Sequence, residues 1–291
     1  MKFAAIDAKK SDYPVGWMCK KLGVSRCGYY AWKSRPDCGR RRQDRILSLA
    51  IRAAHKASRG TYGSPRIMHE LRADGYKIGR NRVIRLMQKD KITGRRRRKY
   101  VHTTNSKHEF PVGDNLLARN FVAQAPNTKW VGDITYIPTH EGFVYLAILL
   151  DLYSRKIVGW SASDSMETEL PLNALKMALV RRRPPCGLIH HTDRGSQYAS
   201  KDYRRALQNA GILCSMSRRS NCWDNAPGES VFSRIKDDLV YRATFESKAQ
   251  AKASIEEYIE RFYNAKRRHS SAEYLSPNAY EKARQVKVQA A

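Results

Sequence analysis

The spacing of apolar positions changes period once along the chain, and that change divides it. From Tyr13 the run "YPVGWMCKKLGVSRCGYYAW" sets apolar residues at helical intervals, pauses at Leu22-Gly23 and restarts at Ser25, whose hydroxyl suits a helix start. A helix, a turn and a helix result; an ordinary helical hairpin with Tyr29, Tyr30 and Trp32 in its core fits the same pattern. A second helical block runs from about Gln43 to Ser58. The stretch "YGSPRIMHELRADGYKIGRNRVIRLMQKDKI" at 62–92 then gives two helices, one opening near Pro65 and one near Arg80, with Asp74-Gly75 between them. Residues from 101 to 128 carry little periodicity and read as a linker.

From Lys129 the texture becomes that of strands. "KWVGDITYIPT" (129–139), "GFVYLAILLDLY" (142–153) and "RKIVGWSASD" (155–164) are rich in β-branched and aromatic residues and are separated by turn signals. Helical spacing follows from about Glu167 to Arg183 and stops at Pro184-Pro185. "GLIHHT" (187–192) is a fourth strand, "SKDYRRALQNAG" (200–211) a helix closed by Gly211, and "ILCSMS" (212–217) a fifth strand. The stretches 226–240 and 247–271 read as two further helices. The order β-β-β-α-β-α-β-α-α predicts an α/β core with a five-stranded mixed sheet behind an all-α region. The partition is 1–40 (helix-turn-helix-like segment), 41–100 (basic helix-turn-helix domain), 101–128 (linker) and 129–291 (core with C-terminal helices).

Charge sharpens the helical half. The 291-residue chain has a net charge of +28, and residues 1–128 carry 30 Lys/Arg against 9 Asp/Glu, whereas residues 129–291 carry 25 against 18. A polyanion is the natural partner, nucleic acid before an anionic membrane surface. Arg80, Arg82 and Arg85 on the second helix of a helix-turn-helix pattern, with Arg95, Arg96, Arg97 and Arg98 directly behind it, are candidate DNA contacts; a solvated arginine face is the plainer alternative for the first three. The longest apolar run, "FVYLAILL" at 143–150, is too short to span a bilayer, and the N-terminus lacks a secretory apolar segment, so a cytoplasmic protein is expected. Six cysteines without a C-x-x-C pair fit reduced thiols.

Three carboxylates occupy informative places: Asp133 within the first strand, Asp193 at the end of the fourth, and Glu229 in the first turn of the helix that Pro227 opens. Singly, each has a structural reading, as a strand-edge residue, a turn residue before Gly195 and a favourable anion at a helix N-terminus. Together they form a candidate site, because the helix at 167–183 is long enough to bring the first and fourth strands side by side in parallel. Two carboxylates about 5 Å apart repel by roughly 3 kcal/mol at an effective dielectric near 20, so the cluster calls for a cation, a shared proton or a basic neighbour. All-oxygen ligation selects Mg²⁺ or Mn²⁺, and two such ions suit phosphodiester chemistry. Asp151 heads a hairpin turn and is assigned to structure, Asp224 and Asn225 to helix capping, and His190 and His191 to packing.

The motifs "WVGDITYIP", "HHTDRGSQY" and "CWDNAPGESVFSRIK", with 35 residues between Asp193 and Glu229, resemble the integrase-core transposases of bacterial insertion sequences, relatives of retroviral integrases. The resemblance is closer to the OrfB product of the family whose transposase is read from two overlapping frames, and "LGVSRCGYYAW" and "YGSPRIMHEL" extend it over nearly the whole chain. It implies a ribonuclease-H-like core and an Asp-Asp-Glu triad matching Asp133, Asp193 and Glu229 as catalytic and metal-holding residues. It also implies a basic residue seven positions after the glutamate, here Lys236, which nearly two helical turns return to the same face as a DNA contact. Further implications are binding to terminal inverted repeats and target DNA, strand cleavage and 3′-hydroxyl strand transfer, an upstream-frame OrfA partner or fusion, a homo-oligomer on DNA and work at the nucleoid. Gly228 departs from the bulkier apolar residue usual in the family. Two competing readings remain: a catalytically silent DNA-binding regulator, and a plain metal nuclease of the same fold.

Overall fold

The computed structural model describes residues 1–36, 38–94, 113–218 and 222–289. Three helices open the chain: α1 (Lys2–Ala8), α2 (Val15–Lys21) and α3 (Arg26–Ser34). Ser25 caps α3 as its hydroxyl accepts from Gly28 N at 2.9 Å, and Ile6, Met18, Cys19 and Tyr29 form a small separate core. Helices α4 (Gly39–Ala57), α5 (Ser64–Ala73) and α6 (Arg80–Lys89) then enclose a second core in which Ile51, Ile67, Leu71, Val83 and Leu86 are buried. The apolar periodicity located these helices; α1, with too little of it, was not anticipated.

The core domain is built on β1 (Lys129–Thr139), β2 (Gly142–Asp151), β3 (Ile157–Ser163), α7 (Glu169–Arg182), β4 (Ile189–Thr192), α8 (Ser196–Ala199), α9 (Lys201–Asn209) and β5 (Leu213–Met216). It closes with α10 (Ala226–Asp238), α11 (Lys248–Glu256) and α12 (Pro277–Gln289). The sheet order is β3-β2-β1-β4-β5, antiparallel across the first three strands and parallel from β1 to β4 and β4 to β5. This is the mixed five-stranded, ribonuclease-H-like arrangement that the sequence leads one to expect.

Alternation along the strands serves both faces. Val131 and Ile137 of β1 and Val144, Leu146, Ile148 and Leu150 of β2 pack toward α10 and α11, while Trp130, Ala147 and Leu149 pack toward α7, α8 and α9. Helix α7 ends at Arg183, which takes a left-handed conformation (φ 43°) ahead of Pro184, so the crossover stops where its sequence breaks.

Two segments differ from expectation. The stretch 247–271 is not one α-helix: α11 gives way to a π-helical turn at Glu257–Tyr263 and a 3₁₀ turn at Ser270–Ala272. The wider π turn lets Tyr258, Ile259, Phe262 and Tyr263 all face inward. Residues 113–128, from the stretch expected as a linker, lie against the core, with Leu117 buried and its backbone N donating to Ser215 Oγ. The helical region docks on the same C-terminal segment. Arg66 Nε donates to the Arg268 carbonyl at 3.0 Å, His69 stacks on Tyr274 at 3.9 Å, and the Arg59 guanidinium lies over the rings of Tyr258 and Phe262. No helix among the described residues is long and apolar enough to cross a membrane.

Helix α7 approaches β3 so closely that Gly159 has no room for a side chain: a Cβ there would lie 2.2 Å from the Ala174 carbonyl oxygen and 2.8 Å from Ala178 Cβ. Gly159→Ala should therefore destabilise the protein by about 3 kcal/mol, as overpacking against backbone does, read as a lowered midpoint in urea unfolding.

Candidate active site

The β1–β4 pairing sets the site. Lys129 pairs with Ile189, Trp130 with His190 and Val131 with His191; extending that register brings Asp133 level with Asp193, just past the end of β4. Alternation aims Asp133 at the face covered by α10, where a Cβ on Gly228 would stand 3.1 Å from Asp133 Oδ2. Glu229 follows Gly228 in the first turn of α10, and Lys236 sits near its last turn.

Each aspartate is oriented by backbone. Asp133 Oδ1 accepts from Ile134 N at 2.8 Å, and Asp193 Oδ1 accepts from Gly195 N at 2.9 Å in the turn that leaves β4. Removal from water and, next, the charges of Asp193 and Glu229 push the Asp133 carboxyl well above the usual range, against the Ile134 bond and the Lys236 ammonium. Burial lowers Lys236, Asp133 opposes that shift, and its Nζ lies 5.2 Å from the centre of the Tyr136 ring. The structure thus brings Asp133, Asp193, Glu229 and Lys236 into one electrostatic neighbourhood. No three carboxylate, imidazole or thiolate donors among the described residues already stand close enough to hold a metal ion.

Neither Asp224 nor Asn225 caps α10 with its side chain as expected; Asp224 is an ion-pair anchor instead. Fully buried just before α10, it accepts from Arg218 Nε and Nη2, both at 2.9 Å, from Arg119 Nε at 2.8 Å and from Asn115 Nδ2 at 3.1 Å. These bonds, Arg218's first, hold its carboxyl far below the usual range. It ties the 113–119 segment and the end of β5 to the start of the glutamate-bearing helix. A buried acid next to a helix start looks like a cap in sequence; only the fold reveals that Arg119 and Arg218 converge on it.

Asp151 is structural as expected, accepting from Asn127 N and Tyr153 N and pairing with Arg182. His190 and His191 are packing residues. His190 Nε2 meets Tyr203 Oη at 2.8 Å on one face, and His191 Nδ1 meets Ser215 Oγ at 2.8 Å on the other. Burial depresses them to about 3 and about 4, so both are neutral near pH 7.

Of the candidate DNA contacts, Arg80 is exposed at the start of α6. Arg82 Nε and Arg85 Nη2 instead reach Asp44 of α4, at 2.9 and 2.7 Å, so one carboxylate holds both guanidiniums. Arg95 to Arg98 lie outside the described residues.

Comparison with known proteins agrees with this architecture. Models of the integrase core domain match residues 123–222 and 210–277, and a model of an HTH-like domain matches residues 41–100. A 31 kDa protein of insertion element IS600 from Shigella sonnei is 44% identical over 263 residues, covering 90% of this chain and 97% of that protein. Transposase InsF for insertion sequence IS3A from Escherichia coli K12 is 39% identical over 283 residues, covering 97% and 98%. Among solved structures, the HTLV-2 integrase catalytic core domain in complex with magnesium aligns at 14% identity with a TM-score of 0.43, covering 55% of this chain and 99% of that one.

Two stability measurements test the electrostatics. Because the Asp133 carboxyl is raised on folding, its contribution is present at low pH and is lost as pH rises through its folded value. At pH 7.5 in EDTA, Asp133→Asn should therefore melt higher than the parent, by about 2–6 °C for 1–2 kcal/mol of relieved repulsion. The histidines run the other way: lowered from 6.5 to about 3 and about 4, they contribute stability above pH 6.5 that is lost as pH falls toward 4. His190→Gln should remove about one proton from the slope of unfolding free energy against pH between 6 and 4.

Proposed function

The chain belongs to the insertion-sequence transposases of the IS3 type, DNA transposases with an integrase core, and from that premise we propose that Asp133, Asp193 and Glu229 form its catalytic triad. On this reading it cleaves a DNA strand at the ends of its element and joins the freed 3′-hydroxyl to a target phosphodiester. The observation that supports it is the convergence of three carboxylates and Lys236 at the open end of the β1–β4 pair, where burial and then its like-charged neighbours raise Asp133. Such a cluster is costly unless a cation relieves it.

A divalent cation fits that donor chemistry, since hard oxygen ligands suit Mg²⁺ or Mn²⁺; Asp133 and Asp193 would hold it with Glu229, and two ions are proposed. When bound, it would supply charge neutralisation at the phosphate and a lowered pKa for an attacking water or hydroxyl. The chain's own groups do the rest. Ile134 N and Gly195 N fix the aspartates, Lys236 offsets phosphate charge, and the Gly195 turn leaves the strand end open. The neutral, internally bonded His190 and His191 take no part in proton transfer.

In cleavage, the water oxygen bonds to phosphorus as the bond to the 3′ oxygen breaks, and that oxygen leaves protonated. In joining, the new 3′-hydroxyl attacks a second phosphodiester, so phosphodiester bonds are exchanged with no side chain forming a covalent link. The helix-turn-helix region holds the terminal repeats. Arg80 approaches DNA directly, whereas Arg82 and Arg85 must exchange or share their Asp44 partner; Arg95 to Arg98 add phosphate contacts. The reading also carries an upstream-frame OrfA partner or fusion, an oligomer that pairs two ends, and a cytoplasmic protein at the nucleoid.

The test uses the purified chain, a labelled duplex carrying the terminal repeat, and Mg²⁺. Cleavage and joining by the parent, with Asp193→Asn and Glu229→Gln each at least about 10³-fold slower at unchanged duplex affinity, are expected. Nicks without joined product would identify a plain nuclease. Tight binding with no product, also when fused to the upstream-frame partner, would turn the reading to a silent DNA-binding regulator.

A further inference from the structure

Between the helix-turn-helix region and the core lies an open cavity of about 340 Å³. Its wall gathers three guanidiniums from three distant parts of the chain: Arg66 of α5, Arg155 of the β2–β3 turn and Arg234 of α10. Ser230, Ser270, Ser271, Tyr263 and the imidazole of His269 add polar groups to its lining, and no Asp or Glu lines it among the described residues. Converging cations and hydroxyls without a carboxylate are the inventory of an anion site.

Two further observations point to a ligand. His269 is only 8% exposed, and its Nε2 is buried without a hydrogen-bond partner among the described residues, which is rare in a settled interior. Burial first, and then the charges of Arg267, Arg66, Arg234 and Arg155 around the ring, keep it neutral, so its ring can offer a proton to an acceptor without adding charge. Arg155 makes no side-chain ion pair or hydrogen bond with the described residues, and burial pushes its guanidinium down as it does that of Arg66. A half-buried guanidinium such as that of Arg155, without such a partner, is suited to an anion.

We propose that this cavity is a phosphate-binding site. Its ligand class is a phosphate monoester, a phosphodiester or inorganic phosphate, gripped by Arg66, Arg155 and Arg234 with Ser230, Ser271 and His269 as further donors. That the phosphate belongs to a DNA backbone rests on the transposase reading; the chemistry of the pocket does not. The position matters because α10 has two working faces. Arg234 lies about 140° around the helix from Glu229 and Ser230 about 100°, whereas Lys236 returns to within about 20° of it. A phosphate held here engages the side of α10 turned away from the triad and ties it to α5.

The experiment uses the full chain with inorganic phosphate and, separately, the terminal-repeat duplex, for the parent, Arg155→Gln and Ser271→Asp. The parent should unfold at higher temperature in sodium phosphate than in sodium chloride of equal ionic strength, and neither variant should respond. Ser271→Asp supplies a carboxylate in place and should itself melt higher in chloride, which keeps the test decisive if Arg155→Gln folds poorly. On the duplex, Arg155→Gln should bind about tenfold more weakly, with its slope of log affinity against log salt reduced by about one. Loss of the phosphate response with an unchanged duplex slope would keep the site and assign it to a free phosphate. A phosphate response retained in both variants, or absent from the parent, would overturn the proposal. None of these readouts requires cleavage, so failure of the catalytic reading and failure of the pocket are told apart.

Discussion

The parallel pairing of β1 with β4 is the constraint on which the rest of the structure depends. Parallel neighbours cannot be joined by a hairpin, so the chain must cross over through α7, and the crossover must lie flat on the sheet. Gly159 is the local consequence, a residue stripped of its side chain where α7 meets β3. Gly132 is another: a Cβ there would stand 2.8 Å from His190 Cε1, so the pairing of β1 with β4 leaves space only for glycine beside the buried imidazole. With both met, two aspartates separated by 60 positions in sequence come to the same end of adjacent strands.

Acidic residues are scarce in this chain, and their placement is economical. Asp224 gathers Arg119 and Arg218, Asp238 takes Arg267 and the Tyr258 hydroxyl in the interior, and Asp44 holds Arg82 and Arg85. In each case one carboxylate takes two donors, and the charge of the acid is compensated. Asp133 is the reverse: its strongest charged neighbours are other acids, and its carboxyl is raised where that of Asp224 is depressed. Stability gains nothing from such an arrangement, which is the cost that the proposed triad would place on the fold around it.

Much of this was legible in the sequence because it is written locally. Strand alternation, the Ser25 cap, the stops at Gly211 and Pro184, and the crossover length lead to the sheet and to the meeting of Asp133 with Asp193. What was not legible depends on partners that local pattern does not name. Helices α1 and α12 lack a clear apolar stripe, the π turn at 257–263 reads as ordinary helix until its aromatic neighbours are known, and 113–128 shows no period because its contacts run through scattered apolar residues such as Leu117 and Phe121, through backbone and through Asp224. The role of Asp224 was missed for the same reason, since Arg119 and Arg218 are brought to it by tertiary structure. Conversely Arg82 and Arg85, which read as a free basic face, are turned toward Asp44.

Helix α10 is where these strands of argument meet. Its core face carries Val231, Phe232 and Ile235, its site face carries Glu229 and Lys236, and its third face turns Arg234 toward the arginine-lined cavity. Asp224 pins its start, and the buried Asp238–Arg267 pair pins its end to the segment on which the helix-turn-helix region docks. A helix fixed at both ends and packed along one face has little freedom to translate, and in its first turn, behind the buried Pro227, Gly228 lets the backbone lie close against Asp133. Glycine there costs helical order relative to alanine, and it makes room for the Asp133 carboxylate, whose Oδ2 a Cβ would approach to 3.1 Å. Among the described residues, α10 is thereby the one element that touches the Asp133 neighbourhood, the arginine-lined cavity and, through Asp238 and Arg267, the segment on which the helical region docks.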